Sequence, residues 1–166
     1  MKPVLGYVMF DSDILIEMAS DESLLQSVLG LQTEGILRVV ITHVQRNQLA
    51  GASSQATRDK NQRVMDLLKP ESVATTASVV GLSTIGEAEV GGDEEDFTDS
   101  MGLGAMKKNI LKYKSDALIA CAAFAKTNLL ITNDADLRNH VSTQWPQFPV
   151  WSLTNLRTWC QSEGAK

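Results

Sequence analysis

Pairs of acidic side chains follow two apolar runs that lie far apart in the chain. Asp11 and Asp13 come directly after one run, in the stretch YVMFDSDILIEM, and Asp134 and Asp136 follow another, in NLLITNDADLRNH. Carboxylates that lie close together repel each other and raise their own pKa values unless a cation lies between them. Hard oxygen ligands of this kind favour Mg²⁺ or Mn²⁺ over zinc. The two acidic pairs therefore suggest a site for a hard divalent cation.

Each of these acids also has a purely structural explanation. Asp is a favoured residue just before a helix, where its side chain stabilises the first turn by about 1 kcal/mol. Asp11, Asp116 and Asp134 each stand before a plausible helix. For a single acid, helix capping is the simpler interpretation, and only clustering at one place favours a metal site.

The remaining reactive residue types do not form a recognisable catalytic set. His43 and His140 are isolated in the sequence, and we expect both to be surface or helix-capping residues. Ser12 and Thr132 have no histidine near them in sequence, so the pattern of a hydrolase triad is missing. The acids remain the best candidates for chemistry.

The elements that must position these acids alternate along the chain. Apolar, β-branched and aromatic runs predict strands over residues 4–10, 35–41, 72–80, 128–132 and 148–153. Amphipathic patterns predict helices over 13–18, 21–29, from the capping box at Thr42, over 55–68, 115–127 and 134–141, and after 153. Strands that alternate with helices indicate a three-layer α/β/α sandwich, with a central parallel sheet of four to five strands.

This architecture predicts where the acids lie. In open parallel sheets, ligands bind outside the carboxyl ends of the strands, at the point where the strand order reverses. Asp11 and Asp134 both follow such strand ends. If the first and fourth strands are neighbours, the two acids face each other across that edge.

Length and composition favour one domain with a full core. The chain has 166 residues, of which 43% are hydrophobic, and we treat residues 1–166 as one domain. A Gly-rich acidic stretch over 86–104 predicts a surface loop or insertion. The longest apolar run, 117–125, is far shorter than the roughly 20 residues of a membrane span. Cys121 and Cys160 lack metal-ligand spacing and give no disulfide framework, which suits a reducing cytoplasm.

The distribution of charge matters more than its total. The net charge is −5, which argues at first against a nucleic-acid partner. Eight acids and no Lys or Arg fall between Pro70 and Met106, and the rest of the chain then has 12 acids against 15 bases, a net of +3. The overall acidity therefore does not exclude a phosphate-rich partner.

Four segments together resemble the signature segments of the PIN-domain nucleases. They are VMFDSDILIE, VVITHVQRNQLAG, KSDALIACAA and LLITNDADL, in the order usual for that family, and the likeness spans about residues 6 to 152. The resemblance implies a parallel α/β/α sandwich in which four acids hold Mg²⁺ or Mn²⁺ and hydrolyse RNA phosphodiester bonds. The VapC-like toxins of toxin–antitoxin pairs belong to this family.

The resemblance assigns roles to individual residues. The first, third and fourth signature acids would be Asp11, Asp116 and Asp134, with Asp136 as an auxiliary metal ligand. Three further residues would not bind the metal ion directly but would hydrogen-bond to the metal-binding carboxylates or to water and so orient them: Ser12, Asp13 and Thr132. The basic residues that could hold the RNA backbone are Arg46, Lys107, Lys108, Lys112 and Lys114. The Lys residues of this set also suit an ordinary solvated helix face.

One signature position departs from the family pattern. The second acid should be a Glu on the helix after the second strand, and Gln48 stands there, before Leu49. Gln keeps the size and one carbonyl oxygen of Glu but loses the charge. A specialised or weakened natural enzyme and a deliberate isosteric substitution both explain this residue. A differently registered helix would instead leave Gln48 as a surface residue.

Two rival functions stay open at this point. DSDIL also matches the D-x-D-x-[TV] opening motif of haloacid-dehalogenase-like phosphatases except at Leu15, although the chain has no room for a cap domain. A PIN scaffold whose chemistry has lapsed, and which binds RNA or a protein, is the second rival. The resemblance further implies single-stranded RNA as substrate, a homodimer and an antitoxin protein as a possible partner, with no membrane involved.

Overall fold

A computed structural model describes the chain over residues 4–75 and 110–164. The strands are β1 (Gly6–Phe10), β2 (Leu37–Ile41), β3 (Glu71–Ser72), β4 (Leu129–Ile131) and β5 (Val150–Trp151). The helices are α1 (Ser12–Met18), α2 (Glu22–Thr33), α3 (His43–Ala50), α4 (Gln55–Leu68), α5 (Ile110–Lys126), α6 (Ala135–Gln144) and α7 (Leu153–Gly164). The predicted acidic loop over 86–104 lies outside the described residues.

The five strands form one parallel sheet with the order β3-β2-β1-β4-β5. The central strand β1 pairs with β2 on one side and with β4 on the other, so the strand order reverses between β1 and β4. Phe10 is the register partner of Ile131, and these are the last residues of their strands. The first and fourth strands are therefore neighbours, which is the condition under which Asp11 and Asp134 were expected to face each other.

Helices cover both faces of the sheet because alternate residues of the central strand point to opposite sides. Val8 and Phe10 pack into one core with side chains from α1, α2, α4 and α7. Met9 packs into a second core, which α5 and α6 supply together with Val44 of α3. This arrangement is the predicted three-layer α/β/α sandwich.

Most element boundaries agree with the sequence patterns, and the differences have local causes. Thr42 and Gln45 form the predicted capping box at the start of α3, and α4 ends at Leu68 before a left-handed Lys69. The structure extends α2 to Thr33, past the end predicted at residue 29, and begins α5 at Ile110 instead of residue 115. A Gly on a helix such as α2 lowers its stability by only about 1 kcal/mol and need not end it.

Two further expectations can be compared with the described residues. Of the strand predicted over 72–80, the structure describes only residues 72–75, and its strand β3 spans Glu71–Ser72. The expectation that His43 is a surface residue is wrong, because α3 packs against neighbouring helices and buries this side chain in its first turn.

No helix in residues 4–75 or 110–164 combines the length and apolar character needed to cross a membrane.

Candidate functional site

The candidate site lies at the carboxyl edge of the two central strands. Asp11 follows the last residue of β1, and its backbone N–H donates to the carbonyl of Ile131, the last residue of β4, at 2.8 Å. Asp134 lies three residues beyond that end of β4 and caps α6, where its Oδ1 accepts from the Leu137 N–H at 2.9 Å. The topology therefore places both acids at the strand-order reversal.

The hydroxyl of Thr132 connects these two acids. It donates to Oδ2 of Asp11 at 2.7 Å and accepts from the backbone N–H of Asp134 at 3.1 Å. Oδ1 of Asp11 accepts from the N–H of Ser12 at 2.7 Å, at the first turn of α1. The Asp11 carboxylate is thus held at both oxygens, by the hydroxyl of Thr132 and by the backbone of Ser12.

The surroundings of Asp11 disfavour its negative charge. Burial raises the pKa of this carboxyl above its ordinary value, and the nearby charges of Asp13 and Asp134 raise it further. The hydrogen bonds from Thr132 and Ser12 lower the pKa but do not cancel the increase. The three acids therefore form a region of negative charge that a cation would relieve.

Gln48 reaches this region through Ser12. The hydroxyl of Ser12 donates to Oε1 of Gln48, so α3 presents this side chain to the residue that follows Asp11. Gln48 is exposed at this edge, whereas Val44 and Leu49 of the same helix are buried. The assignment of Gln48 to the second signature position stays a prediction from the resemblance, and the structure adds its contact with Ser12.

The other predicted acids occupy different positions. Asp116 is half-buried on α5, a helix that packs against β1, β4 and α3. Asp13 and Asp136 are exposed in the first turns of α1 and α6. Among the residues that the structure describes, no group of three or more His, Cys, Asp or Glu side chains is arranged to hold a metal ion. The hydroxyl of Thr132 thus joins Asp11 with Asp134.

The donor chemistry of the site still suits a hard cation. Asp11 and Asp134 contribute carboxylate oxygens, and the amide oxygen of Gln48 accepts from the neighbouring Ser12 hydroxyl. Donor sets made only of oxygens match Mg²⁺ or Mn²⁺, whereas zinc sites usually include thiolate or imidazole. The donor types agree with a hard cation, and the cation itself stays a prediction.

The predicted RNA-binding residues are distributed over two helices and a part of the chain outside the described residues. Lys107 and Lys108 lie in that undescribed part, and Lys112 lies on α5 with its side chain undescribed. Lys114 is half-buried on α5. Arg46 is half-buried on α3, and its guanidinium donates to the hydroxyl of Ser72. Among these residues, Arg46 is the one whose side-chain contact is described.

Sequence reasoning missed two side chains that hold the ends of the central strands. Gln45 is fully buried, and its amide nitrogen donates to the carbonyl of Phe10, the residue before Asp11. Arg138 donates from Nη1 to the carbonyl of Thr132 at 2.8 Å. The capping box explained Gln45 locally, and no pattern in the sequence indicated its contact 35 residues away.

Comparison of the chain with protein-family models, with curated proteins and with solved structures found no match. The arrangement of Asp11, Thr132 and Asp134 is therefore the main structural basis for a functional conclusion.

Proposed function

We propose that this chain is a divalent-metal-dependent endoribonuclease of PIN type. The observation that carries the proposal is the hydroxyl of Thr132, which connects Asp11 and Asp134 at the strand-order reversal. In parallel α/β sheets this edge is where ligands bind. A buried carboxyl such as Asp11, whose pKa is raised by burial and by neighbouring acids, suits a site that works with a bound cation.

The protein groups have distinct tasks in this proposal. Asp11, Asp134 and Asp116 would hold the cation, and Asp136 would assist from the first turn of α6. A divalent ion at such a site lowers the pKa of a bound water and stabilises charge on phosphate oxygens. Thr132 fixes the direction of the Asp11 carboxylate, so that its oxygens stay in place during the reaction.

The reaction is hydrolysis of an RNA phosphodiester bond. Water attacks phosphorus in line, the bond from phosphorus to the 3′-oxygen breaks, and the products carry a 5′-phosphate and a 3′-hydroxyl. Arg46 and the predicted Lys residues would contact phosphates of the RNA backbone. Self-association as a homodimer and an antitoxin partner follow from the family resemblance alone.

A second candidate function is a PIN scaffold that binds RNA without cutting it. The observation that favours it is Gln48, whose uncharged amide stands beside Ser12 where the family has an acid. Fewer negative charges weaken the binding of a divalent ion. The phosphatase alternative is disfavoured because α1 begins at Ser12, which leaves Asp13 exposed on a helix.

One assay separates these functions. A single-stranded RNA oligonucleotide and a phosphomonoester are incubated with the protein, with Mn²⁺ from micromolar to millimolar concentration or with chelator. An endoribonuclease cuts the RNA only with Mn²⁺ and leaves 5′-phosphate ends. Release of phosphate from the monoester alone would identify a phosphatase, and RNA binding without cleavage would identify a lapsed scaffold.

A further inference from the structure

A cavity of about 300 Å³ lies between α3 and α4, and Arg46 is the one lining residue that the proposed function already uses. The cavity lining is polar at Arg46, Asn47, Arg58, Asn61 and Gln62 and apolar at Leu49, Ala50 and Met65. Arg58 and Met65 are half-buried on α4 and form the wall of the cavity on that side. A volume of this size is at the lower end for small-ligand sites.

The charge of the cavity favours an anionic ligand. Its described lining includes two arginines and neither Asp nor Glu. Arg58 donates to the carbonyl of Ala52 at 2.5 Å and to Oε1 of Gln55 at 2.9 Å, and both partners are neutral. These bonds hold the guanidinium in place without cancelling its charge. A guanidinium fixed in this way is suited to binding a phosphate group.

The rest of the lining suits a nucleobase. The half-buried Met65 supplies apolar surface for a flat ring, and Asn47 and Gln62 supply amides that can bond to base edges. Proteins read single-stranded RNA through this combination of ring contacts and edge hydrogen bonds. A cavity that can contact both a phosphate group and a base fits a nucleotide.

The position of the cavity relates it to the candidate active site. Arg46 and Gln48 are two residues apart on α3, which puts them on roughly opposite faces of a helix with about 3.6 residues per turn. Gln48 faces Ser12 at the active site, so the cavity lies across the width of α3, about 10 Å away. A single RNA strand bound at both places would cross α3.

We infer that the α3–α4 cavity binds a nucleotide of the single-stranded RNA substrate, on the far side of α3 from the scissile bond. This inference rests on the proposed ribonuclease function for the identity of the substrate. It adds Arg58 and Gln62 of α4 to the RNA-contacting residues, and neither was predicted from the sequence.

The test measures RNA binding in chelator, where no metal-dependent cleavage occurs. Fluorescence anisotropy with a labelled single-stranded RNA gives Kd and its salt dependence for the parent protein, Arg58→Gln and the control Arg63→Gln. Arg63 is on the same helix, lies outside the cavity lining and pairs with Glu22 at 2.8 Å. We expect Arg58→Gln to weaken binding about tenfold and to reduce the salt slope by about 0.7. The control should change the slope by much less.

A second variant fills the cavity without removing charge. Ala50 also lines it, and Ala50→Leu should weaken RNA binding about tenfold while the melting temperature stays near that of the parent. Equal RNA affinity for the parent, Arg58→Gln and Ala50→Leu would overturn the inference.

Competition experiments distinguish a nucleotide within an RNA strand from a free mononucleotide as the ligand of the cavity. Adenosine 5′-monophosphate and inorganic phosphate should displace the RNA only at concentrations far above the RNA Kd. A mononucleotide that binds more tightly than the RNA would overturn the assignment to an RNA strand. RNA binding that depends on Arg58 without any Mn²⁺-dependent cleavage would retain the cavity assignment and reject the proposed hydrolysis.

Discussion

The hydroxyl of Thr132 donates to Oδ2 of Asp11 at 2.7 Å across 121 residues of sequence, from the end of β4 to the end of β1. The same oxygen accepts from the N–H of Asp134, so one side chain determines how the two acids meet. A residue that orients a metal-binding carboxylate typically contributes ten- to a hundredfold to affinity or activity. Substituting Thr132 therefore tests both the hydrogen bond to Asp11 and its proposed importance for metal-dependent cleavage.

We expect Thr132→Val to lower Mn²⁺-dependent RNA cleavage about ten- to a hundredfold. Valine matches the shape of threonine but cannot donate to Asp11, and this bond lowers the pKa of that carboxyl. The pKa should rise further, so the acid limb of the pH–rate profile should move to higher pH. Thr132→Ser keeps the hydroxyl and should keep the parent profile. An unchanged profile in Thr132→Val would contradict the orienting role.

We expect Asp11→Asn to stabilise the protein at pH 7 in chelator, by on the order of 1 kcal/mol or a few degrees in Tm. The pKa of Asp11 is raised in the folded state, mainly by burial, so ionising it lowers the free energy of unfolding. This loss grows as pH rises from the unfolded-state pKa through the folded-state pKa. Asparagine can accept from the Ser12 N–H and donate to the Thr132 oxygen.

Thermal melts between pH 4 and pH 8 check this expectation. The difference between Asp11→Asn and the parent should be smallest near pH 4, should increase with pH and should then level off. Asp66→Asn, an exposed change on α4, serves as the control and should stay within about 0.5 kcal/mol of the parent. A lower melting temperature for Asp11→Asn at pH 7 would show that its hydrogen bonds matter more than its charge.

We expect Gln48→Glu to raise Mn²⁺-dependent cleavage about a hundredfold. Glu adds a negative charge and a better oxygen donor beside Ser12, and an electrostatic interaction made in the transition state is typically worth about 3 kcal/mol. The added repulsion among carboxylates should lower Tm in chelator, and Mn²⁺ should narrow or reverse that gap.

The matched control for this change is Gln144→Glu, which adds the same charge at an exposed site on α6. Cleavage rates are measured for both variants over the same Mn²⁺ series. If Gln48→Glu and Gln144→Glu both behave like the parent, Gln48 is an ordinary helix residue and not the substituted second acid.

We expect Gln45→Leu to lower the free energy of unfolding by about 1–3 kcal/mol. The change leaves the carbonyl of Phe10 and the N–H of Thr42 without their buried Gln45 partner, and unsatisfied buried polar groups carry penalties of that size. Gln26→Leu, exposed on α2, is the control and should change stability by less than about 0.5 kcal/mol. Urea melts that give the two variants equal stability would refute the bridging role of Gln45.

The fold and the central part of the site could be predicted because both depend on local patterns. Apolar runs that end before Asp11 and Asp134 mark the ends of two strands, and alternation with helices requires those strands to be parallel. Thr42 could be predicted as a helix cap because the capping box depends only on Thr42 and the residue three positions later. These inferences need only the spacing of neighbouring residues.

The parts that could not be predicted depend on contacts between distant elements. His43 has a polar side chain at a helix start, which suits the surface, yet the packing of α3 buries it. The bond from Gln45 to the Phe10 carbonyl and the α3–α4 cavity around Arg58 exist only once those elements are packed. Sequence spacing contains no signal for either.

The most direct test of the central claim is the rate of single-stranded RNA cleavage by the parent protein and by Asp11→Asn across a Mn²⁺ titration. We predict that the parent rate rises with Mn²⁺ and falls to background in chelator, with products that carry 5′-phosphates. Asp11→Asn should remain folded and cut at least about a hundredfold more slowly, as expected when a charge that acts in the transition state is removed. Equal rates for the two proteins, or a parent rate that does not depend on Mn²⁺, would contradict metal-dependent hydrolysis at Asp11.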